Sequence, residues 1–240
     1  MIRIILSFTK IILGLVAAIA FASCNISGIN GNGNVTTSTR EVAEFTSVAA
    51  DRGMEVIVQQ SDSRSVIVEA DSNLHKNIIT TVENGVLRVS SDENIFNAST
   101  LKVIVKMPVI RGLETSGGAS IKSANTLRSN AINMVASSGS EMEINLESDK
   151  VLCEASSGSH ITVRGKALSL DTSSSSGSEV DATGLLANDV TAQANSGSSA
   201  EVHPIVMLDA KASSGSSVNY HSIPKNIKVE ESSGGSVSQE

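Results

Sequence analysis

The chain has 240 residues, of which 40% are hydrophobic, enough apolar material for one large domain or two small ones. Aromatic residues make up only 2%, with no Trp, so the interior must be built from Val, Ile, Ala and other small side chains in thin layers, not around large rings. A formal charge of -7, which becomes -9 without residues 1–23 and their Arg3 and Lys10, excludes nucleic acid as a partner, because basic runs and stacking aromatics are both missing.

The first residues read as an export signal. Arg3 and Lys10 form a short basic region, Ile11 to Ala22 is an apolar run of signal-peptide length, and small residues precede Cys24. Phe21-Ala22-Ser23-Cys24 resembles a bacterial lipobox, with Phe21 where leucine is commonest, so Cys24 is expected to become the lipidated first residue of an envelope lipoprotein. Acyl chains hold a protein to a membrane at about 0.8 kcal/mol per buried methylene, without a spanning helix. The anchor makes a membrane the first expected partner, and the expected location is the outer membrane, on its periplasmic or its outer side. Cys153 is then left without an intrachain disulfide partner and is expected to be a small buried apolar residue.

Residues 24–40 follow as a Gly/Asn-rich tether; the run from Gly28 to Asn34 lacks the strand, helix and lysine that a phosphate-binding loop requires. Residues 41–111 show short strand signals at Phe45 to Val48, Met54 to Val58, Val66 to Ala70, Ile78 to Val82, Val86 to Val89 and Leu101 to Val105. Asn84-Gly85 between two of these predicts a tight type I′ hairpin, Asp51-Arg52-Gly53 and Ser61-Asp62-Ser63 predict turns, and residues 72–77 allow one helical turn. This segment reads as a less regular β-stranded part that precedes the remainder, with Pro108 at the junction.

Residues 112–240 are a repeat. Gly118, Gly139, Gly158, Gly177, Gly197, Gly215 and Gly234 mark copies of a Ser-Ser-Gly-Ser pattern, separated by 21, 19, 19, 20, 18 and 19 residues. Period-two alternation on both sides of each glycine predicts an all-β fold, a parallel β-helix of about 18–21 residues per coil, right-handed by the rule for parallel crossovers. Before the glycine the inward rows are Ile132, Met134, Ala136; Val151, Cys153, Ala155; Leu170, Thr172, Ser174; Val190, Ala192, Ala194; and Leu208, Ala210, Ala212. After it they are Met142, Ile144; Ile161, Val163; Val180, Ala182; Ala200, Val202; and Val218, Tyr220. A third apolar point, at Leu127, Leu146, Ala167, Leu185, Ile205 and Ile223, predicts a third side to each coil. The glycine is expected at a corner with φ > 0, with Ser138, Ser157, Ser176, Ser196, Ser214 and Ser233 as an inward ladder and Ser137, Ser156, Ser175, Asn195, Ser213 and Ser232 as an outward row.

Arg40-Glu41-Val42-Ala43-Glu44-Phe45, Gly53-Met54-Glu55-Val56, Val66 to Leu74, the Val82 to Leu87 hairpin, the Ser-Ser-Gly-Ser repeats and the literal Gly28-Ile29-Asn30 string together resemble a known group. It is the family of secreted bacterial proteins described as putative auto-transporter adhesins with a head GIN domain. The resemblance covers nearly the whole mature chain and implies a β-helical cell-envelope protein of the Bacteroidetes type, with no catalytic residues to carry over.

The residues themselves point away from catalysis. His75, His160, His203 and His221 lack metal-ligand spacing, no Gly-x-Ser-x-Gly elbow is present, and neither a metal nor a cofactor is expected. Glu141, Glu143, Glu179, Asp181 and Glu201 fall on outward positions of nearby coils and form the candidate binding face, while Glu154, Asp171, Gln193 and Lys211 line the outward side before the glycine. A like-charged row across parallel strands must be solvated or bound to counter-ions, so this face is read first as a polar surface and second as a weak cation site. The expected function is non-enzymatic: an envelope lipoprotein whose polar faces meet a glycan, a matrix component or a surface protein. The alternatives are a polysaccharide-active β-helix enzyme, which would use the Glu141, Glu143 and Glu179 row, and an envelope protein with a purely structural task.

Overall fold

A computed structural model describes residues 27–240, so the export signal and Cys24 lie outside the described residues. All the regular elements among them are strands: β1 (Ile29–Asn30), β2 (Val35–Arg40), β3 (Ser47–Ala50), β4 (Glu55–Gln60), β5 (Ser65–Asp71), β6 (Ile78–Glu83), β7 (Val86–Ser91), β8 (Ile95–Asn97) and β9 (Leu101–Met107) in the first part. The repeats supply β10 (Gly112–Thr115), β11 (Ser120–Ser123), β12 (Leu127–Ala136), β13 (Glu141–Ala155), β14 (His160–Ser175), β15 (Glu179–Asn195), β16 (Ser199–Ser213), β17 (Ser217–Tyr220), β18 (Asn226–Ser232) and β19 (Ser236–Gln239).

The repeats stack as a parallel β-helix. Met134 pairs with Cys153, Cys153 with Thr172, Thr172 with Ala192 and Ala192 with Ala210, so each strand lies in register on its equivalent one coil away. The inward rows read from alternation are buried, with Tyr220 partly so. One inward row shortens along the stack, from Met134 through Cys153 and Thr172 to Ala192 and Ala210.

The first part belongs to the same helix. The β3 strand carries β10 on one side and β7 on the other, and β4 lies likewise between β11 and β9, all of them parallel. The chain therefore lays down one coil as β3 and β4, places a second beneath it as β7 and β9, and only then continues upward through β10. The N-terminal end is closed by antiparallel strands: β6 on β7, β5 on β9, and β2 on β5. Asn84 and Gly85 take φ of 52° and 77°, the two left-handed residues of the expected hairpin turn.

The tether reading needs correction. Ile29–Asn30 pairs with β8, and Val35–Arg40 pairs with β5 along its whole length. Thr36, Thr39 and Arg40 supply the β-propensity and the hydrogen-bonding reach that the Gly/Asn composition of the preceding residues hides; Arg40 donates to the carbonyl of His75 at 2.7 Å, and the Thr36 hydroxyl lies 3.0 Å from His75 Nε2.

The serine ladder also needs correction. Ser138, Ser157, Ser176, Ser196, Ser214 and Ser233 are exposed and take φ of 50–56°, each followed by a glycine at 69–79°. Two consecutive left-handed residues turn the corner and reset the alternation, so the buried hydroxyl belongs to the residue after the glycine: Ser140, Ser159, Ser178, Ser198 and Ser216. Each of these accepts the N–H of the residue three before it and donates to a carbonyl one coil back. For Ser159 the bonds are from Ser156 N at 3.0 Å and to the Ala136 carbonyl at 2.8 Å. Corner glycines extend the tie in the other direction, as Gly158 N does to the Ser176 carbonyl at 3.1 Å. The third side is a further point of difference. Leu127, Leu146, Ala167 and Leu185 are buried as expected, but Ile205 and Ile223 are exposed, and the neighbouring Pro204 and Pro224 take the inward place.

Candidate functional site

Outward residues form straight rows because equivalent positions stack. On the side after the corner, one row runs Glu141, His160, Glu179, Ser199, and the next runs Lys122, Glu143, Thr162, Asp181, Glu201. The expected acidic residues thus share one face, but no unbroken acidic stripe results, because the intervening coil contributes His160 and Thr162. Most of the acids also have a partner. Glu143 lies 3.3 Å from Lys122 and 3.4 Å from Arg164, Glu179 lies 3.3 Å from His160, and Glu201 lies 3.6 Å from His221. Asp181 accepts the N–H and the hydroxyl of Thr183. Among the described residues no three His, Cys, Asp or Glu side chains converge as a metal site.

The side before the corner carries Val135, Glu154, Ser173, Gln193, Lys211 and Glu230 in one row, beside Leu152, Asp171, Thr191, Asp209 and Lys228 in the next. At its C-terminal end Lys228 lies 2.7 Å from Glu230 and 3.3 Å from Asp209, with Lys211 3.3 Å from Glu230. The hydrogen bond between Lys228 and Glu230 is the main cause that holds the lysine above and the glutamate below its ordinary range.

A concave surface lies on the third side. A shallow, wide-open groove of about 880 Å³ crosses the coils between Arg128 and Ile205, with Glu147, Asp149, Lys166 and Asn188 beside Leu168 and Leu186. A second hollow of about 720 Å³ shares Arg128, Ser129 and Asn130 with it and extends toward Pro108 and Val109. The Gln60 side chain fixes this end: its amide donates to the carbonyls of Pro108 and Arg128, and its oxygen accepts the Arg128 N–H at 2.6 Å. Arg128 is tied to Glu147 at 3.2 Å. Leu168 is 55% exposed, and Leu186 and Ile205 are each 42% exposed, forming an apolar strip among hydrogen-bonding groups. Sequence reasoning missed this groove. Its signal was the adjacent apolar pair Leu185-Leu186, since neighbouring residues of a strand cannot both point inward.

Cys153 is fully buried with a free thiol; burial, with a smaller contribution from Asp171, pushes that thiol up to about 12. The histidines have structural neighbours: His160 Nε2 lies 2.9 Å from the Thr162 hydroxyl, and His203 Nδ1 lies 3.2 Å from the Thr183 carbonyl.

Residues 44–224 match the family model described as putative auto-transporter adhesin, head GIN domain. The chain belongs to this family. Solved structures share the fold. One titled a putative adhesin from Bacteroides fragilis is 18% identical, with a TM-score of 0.80, covering 89% of this chain and 100% of its own. A putative adhesin from Parabacteroides merdae is 20% identical, with a TM-score of 0.69 over 89% of this chain and 100% of its own. A structure from Parabacteroides distasonis titled a putative lipid binding protein is 19% identical, with a TM-score of 0.72 over 88% and 99% respectively. The comparison with curated proteins gave no match.

Proposed function

We propose that this protein is a non-enzymatic adhesin of the cell envelope, held to the outer membrane through lipidated Cys24, and that it binds an extended glycan or matrix chain along the third side of its solenoid. The groove supports this reading most directly. It crosses several coils, and it sets the apolar strip of Leu168, Leu186 and Ile205 beside Asn130, Asp149, Lys166 and Asn188. A sugar polymer presents the same alternation, with C–H faces that shed water against aliphatic side chains and hydroxyls that need donors and acceptors. The face carrying Glu141, Glu143, Glu179, Asp181 and Glu201 is proposed as an accessory contact surface.

A glycan array and a pull-down from envelope extract test this directly. A saturable ligand is expected, with binding reduced on the order of tenfold by Leu186→Asp, from a lost apolar contact and an introduced charge. Gln substitution of Glu141, Glu143 and Glu179 should have a smaller effect. Absence of a saturable ligand in both assays overturns the reading, and turnover of a polysaccharide replaces it with an enzymatic one. The apolar strip also favours a second occupant, the acyl chain of an amphiphile, in line with the name of the Parabacteroides distasonis neighbour. Displacement of a fluorescent fatty acid from the groove, with no glycan bound, would select that reading.

A further inference from the structure

The two ends of the solenoid are finished differently. At the N-terminal end antiparallel strands cover both stacked faces, β6 on β7 and β5 on β9. At the C-terminal end the last coil is β18 on β16 and β19 on β17, and every residue of β18 is exposed. Ile227 and Val229 continue the inward rows of Leu208 and Ala210, yet they are 48% and 44% exposed, whereas those two are fully buried. Glu231 continues the Ala212 row beside them and accepts the Val237 N–H, and an exposed strand edge that carries Ile227 and Val229 is a template for another strand.

We infer that β18 is a homophilic contact, on which a second copy of this chain adds its own β18 antiparallel about Val229. Three observations select this occupant. The fold already accepts antiparallel strands on the terminal coil at its other end, so the geometry is one the molecule uses. The strand sequence is self-complementary in charge: in a register centred on Val229, Lys228 of each copy faces Glu230 of the other on the outward side, and opposite charges directly across a strand pair attract. The contact also closes on itself as a two-fold, so it yields a dimer and not a fibre. Within one copy Lys228 touches Asp209 and Glu230, and Lys211 touches Glu230, so the facing charges are held at this edge before the second copy arrives.

The contact has a consequence for adhesion. The described chain enters through β1 and β2, at the end opposite β18, so two copies joined at β18 carry their entry strands at the two far ends of a doubled solenoid. With each copy anchored as proposed at Cys24, such a pair joins two facing membrane surfaces. This last step rests on the anchor reading, whereas the dimer itself does not.

Sedimentation velocity of the chain from residue 25 onward, over a range of concentrations, tests the dimer. The unaltered chain is expected to show reversible monomer and dimer species. Lys228→Glu, which sets like charges opposite each other twice, should weaken association on the order of tenfold, and the double variant Lys228→Glu with Glu230→Lys should restore it. The double variant is the deciding arm. It worsens the contacts with Asp209 and Lys211 inside one copy, so fraying of the last coil predicts no rescue, whereas cross-copy pairing predicts it. A monomer at all concentrations, or a dimer indifferent to Lys228→Glu, overturns the proposal. Beads carrying the protein by its N-terminal end should cluster with the same three-way pattern; a charge-sensitive dimer in solution without bead clustering overturns the bridging geometry alone.

Discussion

At the scale of single residues, two serines one position apart from the same glycine have opposite duties. Ser159 is buried and ties two coils together, whereas Ser157 is exposed and strained into a left-handed conformation. Ser159→Ala leaves the Ser156 N–H without that acceptor and removes the hydroxyl's bond to the Ala136 carbonyl, so urea unfolding should show a loss of about 1–3 kcal/mol. Ser157→Gly, by contrast, should change stability by less than ~1 kcal/mol, because glycine tolerates that φ. Gly165 is a stricter position: its φ is 125°, and an added Cβ would fall 1.9 Å from the Leu146 carbonyl oxygen. Gly165→Ala should therefore cost more than about 2 kcal/mol, read as a drop in melting temperature. Cys153 gives a pH signature. Its folded-state pKa is raised from 9.0 to about 12, so the folded form keeps the proton that the unfolded form loses. The associated stability is present below about pH 9 and is lost as pH rises toward about 12, and at pH 8 a thiol reagent should label Cys153 only after unfolding.

The element scale is that of the coil, and here the energetics are nearest-neighbour. Each of β13, β14 and β15 pairs with the strand before it and the strand after it, and the serine and glycine bonds at the corners repeat the same connection. Such a stack tolerates removal of a unit if the register is kept. Deleting residues 140–158 joins Gly139 to Ser159 and sets Ser159 in the place of Ser140, within reach of the Thr115 carbonyl. The shortened chain should still fold into a β-rich state by circular dichroism, with a lower melting temperature because one interface is lost. The inward rows of these elements were legible as period-two alternation. The inward serine was not, because two successive left-handed residues shift the phase of side chains through the corner, and a rule of strict alternation counts across it. Ile205 was misplaced for a related reason: the register between β15 and β16 slips between Ala182 and Leu186 and again between Ala187 and Asp189, so Pro204 points inward and Ile205 outward.

For the whole molecule, the order of coils in space differs from their order in the chain. The β7 and β9 coil is made after the β3 and β4 coil but lies beneath it, and the segment between them folds back as the antiparallel cap. Residues 41–111 looked less regular because that cap interrupts the period, not because the helix begins later. The candidate face was legible as a set of outward acids, but their ion pairs with Lys122, Arg164 and His160 depend on which coils become neighbours. The proposed lipid anchor is tested on the whole molecule. Cys24→Ala should release the protein from the membrane fraction of cells, as followed by blotting after detergent-free extraction; unchanged retention would sink the lipid anchor.

The sequence by itself determined the β-helix and its family, because a glycine every 18–21 residues with alternation on each side permits little else, and stacking of equal coils turns that period directly into register. The phase of the corner, the groove on the third side, the antiparallel cap and the exposed edge of β18 were decided by tertiary structure. Each depends on contacts between residues from different coils or on chain order reversed in space, and a one-dimensional period carries no record of either.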